Sequence, residues 1–281
     1  MLPKVHIIIP TFERLEMFKL CLDSVLSQSY KNIIITIYDN SYSNKIKNYI
    51  KIFCDKYQNL EYERNYMNLG AEANHRKCFR NIKGDFFYIL TSDVLLTKYT
   101  IEKMVKITQE TRDLPFVFGN CADQLMNGET FNENQEFKKN NLISKGTGIY
   151  STDDFLKYYL LKSKVSNNIS LYENLINTQM YQNSEIGLPI YGFNEEESRL
   201  AILMLLHNEK LGYIDEILKL NLIDRECKIT SPGRKGSAYR DYNILWSIEN
   251  ILNDHKRKLI HRDVNLFPIK IRLIRGYFKS L

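Results

Sequence analysis

The sequence predicts an α/β protein: a mostly parallel sheet sandwiched by helices, then a basic, helical C-terminal extension. Three observations carry this. Short apolar runs rich in β-branched and aromatic residues recur along the first 121 residues, as buried strands require. Segments with apolar residues at helical spacing separate them, and such alternation implies right-handed crossovers and a sheet covered on both faces. The runs end in Thr11, Asp39, Arg64 and Asp93. A parallel sheet brings such ends to one edge, where open α/β folds bind ligands.

Val5-His6-Ile7-Ile8-Ile9 predicts the first strand, with Pro10 as its stop. Leu15, Phe18, Leu22, Val25 and Leu26 make the stripe of the first helix. Ile33 to Tyr38 is the second strand, followed by Asp39-Asn40-Ser41. A helix over about 44–57 turns Ile46, Ile50 and Phe53 inward, Leu60 to Arg64 is a third strand, and a helix over about 71–81 follows. The run Phe86 to Leu90 is a fourth strand ending at Thr91-Ser92-Asp93. Asp93 reads as a ligand residue at that end, or as the cap of a helix starting near Thr97.

Ile101, Met104, Val105 and Thr108 predict a helix over about 98–111, and Pro115 to Cys121 another buried strand. Residues 122–148 are polar and predict a long loop or hairpin. Ser151-Thr152-Asp153-Asp154 has the chemistry of a helix start, and 171–183 suggests a further helix. Asn194 caps a helix with Glu195, Glu196 and Glu197 in its first turn, running to Lys210 and stopping at Gly212. Tyr213-Ile214-Asp215 and Ile217 to Leu222 read as short strands. A basic, glycine-bearing loop, Ser231 to Ser237, precedes a helix over about 239–253.

The chain has 281 residues, 44% of them hydrophobic, and carries a net charge of +6 with a pI near 8.8. Such a mild excess favours anionic partners without choosing among them. No recognition motif supports nucleic acid, and the positive charge concentrates in the tail. Lys256 to Leu281 holds eight basic residues and one acid, interleaved with bulky apolar ones. This suits a membrane surface or a helix packed on the domain. The five cysteines form no C-x-x-C pair, which fits a reducing compartment and gives no zinc spacing. Met1 to Pro10 lacks the pattern of a signal peptide, and no apolar run approaches a membrane span. The expectation is a cytoplasmic protein, held peripherally at the inner face of the membrane if the tail engages it.

These residues resemble a known family. Pro10-Thr11-Phe12-Glu13-Arg14 after an apolar strand is similar to the opening of family 2 glycosyltransferases of the GT-A fold, a Rossmann-like architecture. Leu22 to Tyr30 resembles that family's first helix nearly letter for letter. Asp39-Asn40-Ser41, Asn68-Leu69-Gly70 with Asn74, and Gly84-Asp85 through Asp93 match its second strand end, its loop before the third helix and the strand ending in its acidic metal motif. Glu195-Glu196-Glu197 and Tyr213-Ile214-Asp215-Glu216 resemble the region holding its catalytic base. The likeness spans about 4–225, and its opening motif and first helix together are specific.

The resemblance implies a GT-A domain over 1–225, with a donor half to about 121 and an acceptor half from about 122, followed by the extension 226–281. It implies inverting transfer of a sugar from a nucleotide-diphosphate sugar, with UDP favoured, to a glycan or lipid-linked acceptor in bacterial surface polysaccharide synthesis. Asp39 is then the candidate contact to the base, with Pro10, Thr11, Glu13, Arg14, Asn68, Asn74 and Ser92 around the nucleotide. Asp93 is the candidate contact to a divalent metal, Mn2+ or Mg2+, on the diphosphate, and Glu196 or Glu197 the candidate base. The chemistry agrees, since a hard cation stabilises a leaving diphosphate and inversion needs a carboxylate to take the acceptor proton. One departure stands out: the metal motif, Thr91-Ser92-Asp93-Val94, keeps a single acid. Without metal, Arg225, Arg234 and Lys235 are candidates to balance the diphosphate, on a loop whose glycines suit closure. Two other readings are a non-catalytic binding protein on this scaffold and a sugar-phosphate nucleotidyltransferase. The second lacks the glycine-rich loop it needs after the first strand.

Overall fold

The computed structural model describes residues 2–111, 114–125, 146–152, 172–183 and 210–223. The candidates Glu196, Glu197, Arg225, Arg234 and Lys235, and the basic tail, lie outside the described residues.

The first half forms as its apolar pattern dictates. Strand β1 (Val5–Thr11) is buried along its whole length, helix α1 (Leu15–Leu26) follows, and β2 (Ile33–Asp39) pairs with β1 in parallel. Helix α2 (Lys45–Lys56) buries Ile46 and Ile50, as the spacing predicts, and leads into β3 (Leu60–Arg64), parallel to β2. Helix α3 (Gly70–Arg80) then returns the chain to β4 (Phe86–Ile89), which lies on the other side of β1, also parallel. Burial of these branched strands drives the assembly: Ile7, Ile8, Ile9, Phe18, Leu22, Ile37 and Tyr88 are all fully enclosed.

Pro10 does not stop β1, which continues to Thr11. The hydrogen bonds explain why. Thr11 accepts the Asn40 N–H on the β2 side, and Ile8 accepts the Leu90 N–H on the β4 side. Backbone groups alternate, so Pro10 turns its nitrogen toward β4, beyond that strand's last residue. No ladder bond is lost.

The second half is mixed. Strand β5 (Val94–Leu96) and helix α4 (Thr100–Glu110) precede β6 (Phe116–Leu125), β7 (Gly148–Ser151), β8 (Leu175–Asn177), helix α5 (Thr178–Asn183) and β9 (Lys210–Ile223). The strand order is β3-β2-β1-β4-β8-β6-β9-β5, with β7 pairing on β9. Strand β8 runs antiparallel to both β4 and β6, β9 is parallel to β6, and β5 and β7 run antiparallel to β9.

Several sequence expectations change here. The helix expected over 171–183 begins only at Thr178, because Leu175 and Ile176 are buried as a strand between β4 and β6. The region expected as a long loop or hairpin over 122–148 is strand as far as Leu125, and strand again from Gly148. Lys210 and Gly212 begin a strand rather than end a helix. Gly212 is needed there by close approach, since a Cβ would come within 2.7 Å of Ile107 Cγ2 on α4. The two short strands expected after it are one strand, with register shifts against β6 around Asn120. The bulge restores pairing across the polar Asp215-Glu216 step. Among the described residues no helix is long and apolar enough to cross a membrane.

Candidate functional site

The C-terminal edge of the parallel strands gathers the predicted residues. Strand β1 ends at Thr11, level with Asp39 at the end of β2, which is level with Arg64 at the end of β3. Because β8 runs antiparallel to β4, its N-terminal approach, Tyr172-Glu173-Asn174, reaches this same edge.

Asp39 is fully buried. One carboxylate oxygen accepts the Ser41 N–H at 2.9 Å and the other the Tyr62 hydroxyl at 2.7 Å. Burial and then this bond push the Tyr62 phenol up, so it stays a donor. Each Asp39 oxygen keeps a lone pair for a further donor. Beside it, the Thr11 hydroxyl is buried and has no hydrogen-bond partner among the described residues. A buried orphan hydroxyl calls for an explanation, and a ligand is one.

The loop after β1 is held by Glu13, which takes a left-handed conformation with φ of 59°. Its N–H donates to Ser41 Oγ at 2.8 Å, and one carboxylate oxygen accepts the Tyr42 and Ser43 N–H groups at 2.7 and 2.9 Å. The Ser43 hydroxyl donates to the other oxygen, and this bond most of all holds the Glu13 carboxyl below its usual range. The structure therefore places Glu13 as a clamp between the loops after β1 and β2.

Asn68 and Asn74 belong to a network that also includes Asn40 and Asn65. Asn40 donates to Asn68 Oδ1 at 2.6 Å, and Asn65 donates to Asn40 Oδ1 at 3.0 Å and Asn74 Oδ1 at 2.8 Å. Asn74 donates to the Tyr38 carbonyl at 3.1 Å, and the Leu69 and Gly70 N–H groups end on Asn40 and Asn68. These amides fix the entry to α3, where Gly70 has a φ of 82° that favours glycine. The signal for Asn40 and Asn65 lay in their places just past β2 and β3.

Beyond β4, the Thr91–Val94 turn is closed by the Val94 N–H on the Thr91 carbonyl at 3.0 Å, and it carries Ser92 and Asp93. Asp93 does not cap α4, which starts at Thr100. It pairs with Arg14 at 3.1 Å, both side chains part-exposed at 40% and 33%. Under the turn, the buried Cys21 thiol is pushed up by burial and by the Asp93 and Glu173 charges, as an inert core thiol should be. Among the described residues no three or more His, Cys, Asp or Glu side chains stand together as a metal cage. One carboxylate with donor phosphate oxygens is still an ordinary coordination for Mg2+ or Mn2+, so Asp93 fits that role if Arg14 yields.

Sequence reasoning missed Glu173 and Lys219. Glu173 also has a φ of 59°. Its carboxylate accepts the Thr91 hydroxyl at 2.8 Å and pairs with Lys219 at 3.1 Å. No local pattern announces a pair that joins β8 to β9. Asp215 and Glu216 serve the framework: Asp215 accepts the Asn120 amide at 3.0 Å, and Glu216 pairs with Lys103.

The comparisons with known proteins agree with this geometry. The glycosyl transferase family 2 model matches residues 6–163. A Campylobacter jejuni GalNAc(5)-diNAcBac-PP-undecaprenol beta-1,3-glucosyltransferase is 23% identical over 282 residues, covering 100% of this chain and 84% of that one. Residues 1–349 of S. aureus TarS, solved with UDP-GlcNAc, superpose with a TM-score of 0.68 at 14% identity, covering 98% of this chain and 73% of that one. The Pyrobaculum calidifontis mannosyltransferase PcManGT, solved with GDP-Man and Mn2+, gives 0.55 at 14%, covering 99% and 70%. The chain thus has the GT-A fold of glycosyltransferases and belongs to glycosyl transferase family 2.

Proposed function

We propose that this glycosyltransferase moves a sugar, with inversion, from a nucleotide-diphosphate sugar to a glycan or lipid-linked acceptor in bacterial surface polysaccharide synthesis. The observation that supports it best is the edge itself: a buried Thr11 hydroxyl without a partner among the described residues, beside a buried Asp39. Asp39 takes the base N–H through its spare lone pairs, and Thr11 completes the base pocket. Asp93 holds a divalent ion on the diphosphate, and that ion supplies the positive charge that stabilises the leaving group. Arg14, already beside Asp93, is freed to meet the same phosphates. Glu196 or Glu197 takes the acceptor proton as its oxygen attacks the anomeric carbon. UDP is the favoured nucleotide, since TarS was solved with UDP-GlcNAc. A lipid-linked acceptor is favoured by the Campylobacter relative, whose name carries one. Residues 256–281 supply the peripheral membrane contact.

The test is thermal melting against UDP, GDP, CMP and dTDP, each with and without manganese. Ligand at 100 times Kd stabilises by about 2.7 kcal/mol, so one nucleotide should raise the midpoint clearly. A shift with UDP that manganese enlarges is expected. No shift with any nucleotide overturns the donor site. Retention of configuration in the product, read by NMR, overturns inversion.

A further inference from the structure

We propose that Lys219 is the seat of a second anion, the diphosphate ester of a substrate, and that the Glu173 carboxylate occupies this seat until the ligand arrives. The inference rests on the transferase reading.

The pair lies where a substrate would meet it. Lys219 is on β9, and two residues on, Asn221 is level with Val94 in the β9–β5 ladder. The Leu222 N–H donates to the Asp93 carbonyl at 2.8 Å, so this stretch of β9 is bonded directly to the turn that carries Asp93. Glu173 reaches the same turn through Thr91. The pair therefore stands on the β8–β9 side of Asp93, opposite Thr11 and Asp39.

Its construction is unusual for a purely structural ion pair. The side chains are only 12% and 18% exposed. Burying two charges costs desolvation that their attraction rarely exceeds, so an apolar pair would hold the strands as well. Glu173 also keeps a strained backbone, enforced from several sides. Its carbonyl accepts the Tyr88 hydroxyl at 2.8 Å and the Lys219 ammonium at 3.0 Å, and its N–H donates to the Ile89 carbonyl at 2.7 Å. Strain maintained by so many partners is typical of functional positions. The ammonium has three donors, and among the described residues its bonds go to Glu173 alone, one to the carboxylate and one to the carbonyl. An incoming phosphate can take the third donor and displace the carboxylate from the ammonium, exchanging one anionic partner for another.

A diphosphate reaches this point from two sources: the nucleotide donor or a lipid-diphosphate acceptor. Isothermal titration of the full chain with UDP and with farnesyl diphosphate separates them, using wild type, Lys219→Met, Lys219→Arg and Glu173→Gln. Lys219→Met should weaken one diphosphate about tenfold, the size of one lost charge-assisted contact. Lys219→Arg should retain most of the affinity. Glu173→Gln should bind the same diphosphate more tightly, because the competing charge is gone while the amide oxygen can still accept the Thr91 hydroxyl and the backbone bonds remain. Opposite signs in the Met and Gln variants are a result that a merely structural pair would not produce. An effect on UDP assigns the seat to the donor, and an effect on farnesyl diphosphate assigns it to the acceptor. If Lys219→Met fails to fold, Glu173→Gln decides alone, and unchanged or weaker binding overturns the proposal. If wild type binds UDP and no variant changes either affinity, this inference falls while the transferase reading stands. If wild type binds neither ligand, this inference falls, and the melting panel of four nucleotides decides the transferase reading separately.

Discussion

Two glutamates share one backbone strain and sit at the same edge of the sheet, yet they are handled differently. Glu13, beside β1, has its carboxylate wrapped by neutral donors from Tyr42 and Ser43. Glu173, ahead of β8, has its carboxylate against the Lys219 ammonium. The contrast extends to their surroundings. Just past β1 and β2 the loops are fixed by hydrogen bonds among amides, hydroxyls, backbone and the Glu13 carboxylate, which admit little exchange. Where β8 and β9 approach the Thr91 turn, the Glu173–Lys219 ion pair meets it, and a charged ligand can take such a pair apart. In the proposed reading, one side is preorganised to receive a base, and the other stores charge for a substrate that brings its own.

The largest test of this contrast concerns the strand that joins the two sides. Ile176 is fully buried between β4 and β6, and Ile176→Ala should cost about 2–5 kcal/mol in urea unfolding. A loss below about 0.5 kcal/mol, the range of ordinary surface substitutions, would mean that β8 is not a core element. Next is Asp39→Asn, which leaves the Tyr62 hydroxyl facing an amide. Donor affinity should fall by about 2–5 kcal/mol, read by calorimetry with UDP, while farnesyl diphosphate affinity holds. Equal losses of both ligands would erase the distinction between the two sides. Gly212→Ala comes third, at about 1–3 kcal/mol, because its methyl meets Ile107 within 2.7 Å.

Acidity probes the buried histidines. Burial holds His6 and His75 down to about 4, from an ordinary 6.5. His6 is neutral in the fold, with Nδ1 accepting the Lys83 N–H at 2.9 Å and Nε2 2.8 Å from the Thr36 hydroxyl. The folded values lie below the unfolded ones, so the stability they contribute is full above pH 6.5 and is lost as pH falls toward 4. The loss should approach about 1.4 kcal/mol per pH unit for each histidine. His6→Asn should flatten the slope in that window, and an unchanged slope would remove His6 as its cause. The smallest effect is that of Arg14→Ala on stability, about 0.2–1 kcal/mol for a part-exposed pair. Its effect on ligand binding should be larger in kind: UDP affinity becomes more dependent on manganese, since Asp93 then has no internal cation.

Much of the first half was legible because its signals are local. The strand run Leu60 to Arg64 and the α2 stripe of Ile46 and Ile50 appear in the fold as their periodicity implies. The edge carrying Thr11, Asp39 and Asp93 follows from strand alternation alone. Misreadings arose wherever a distant partner decides. Pro10 is tolerated because β4 ends early, Leu175 and Ile176 become strand because β4 and β6 have open edges, and Gly212 is extended because α4 presses on it.

By itself, the sequence determined the alternating parallel half, its burial and the family, since hydrophobic periodicity and short motifs act over a few residues. Only the tertiary structure decided that Glu13 clamps two loops, that Arg14 holds Asp93, and that Glu173 meets Lys219 46 residues away. Such pairings depend on strand order and register, which no local pattern encodes. The energy of an ion pair comes from distance in space and from the water excluded around it, and both are properties of the folded chain.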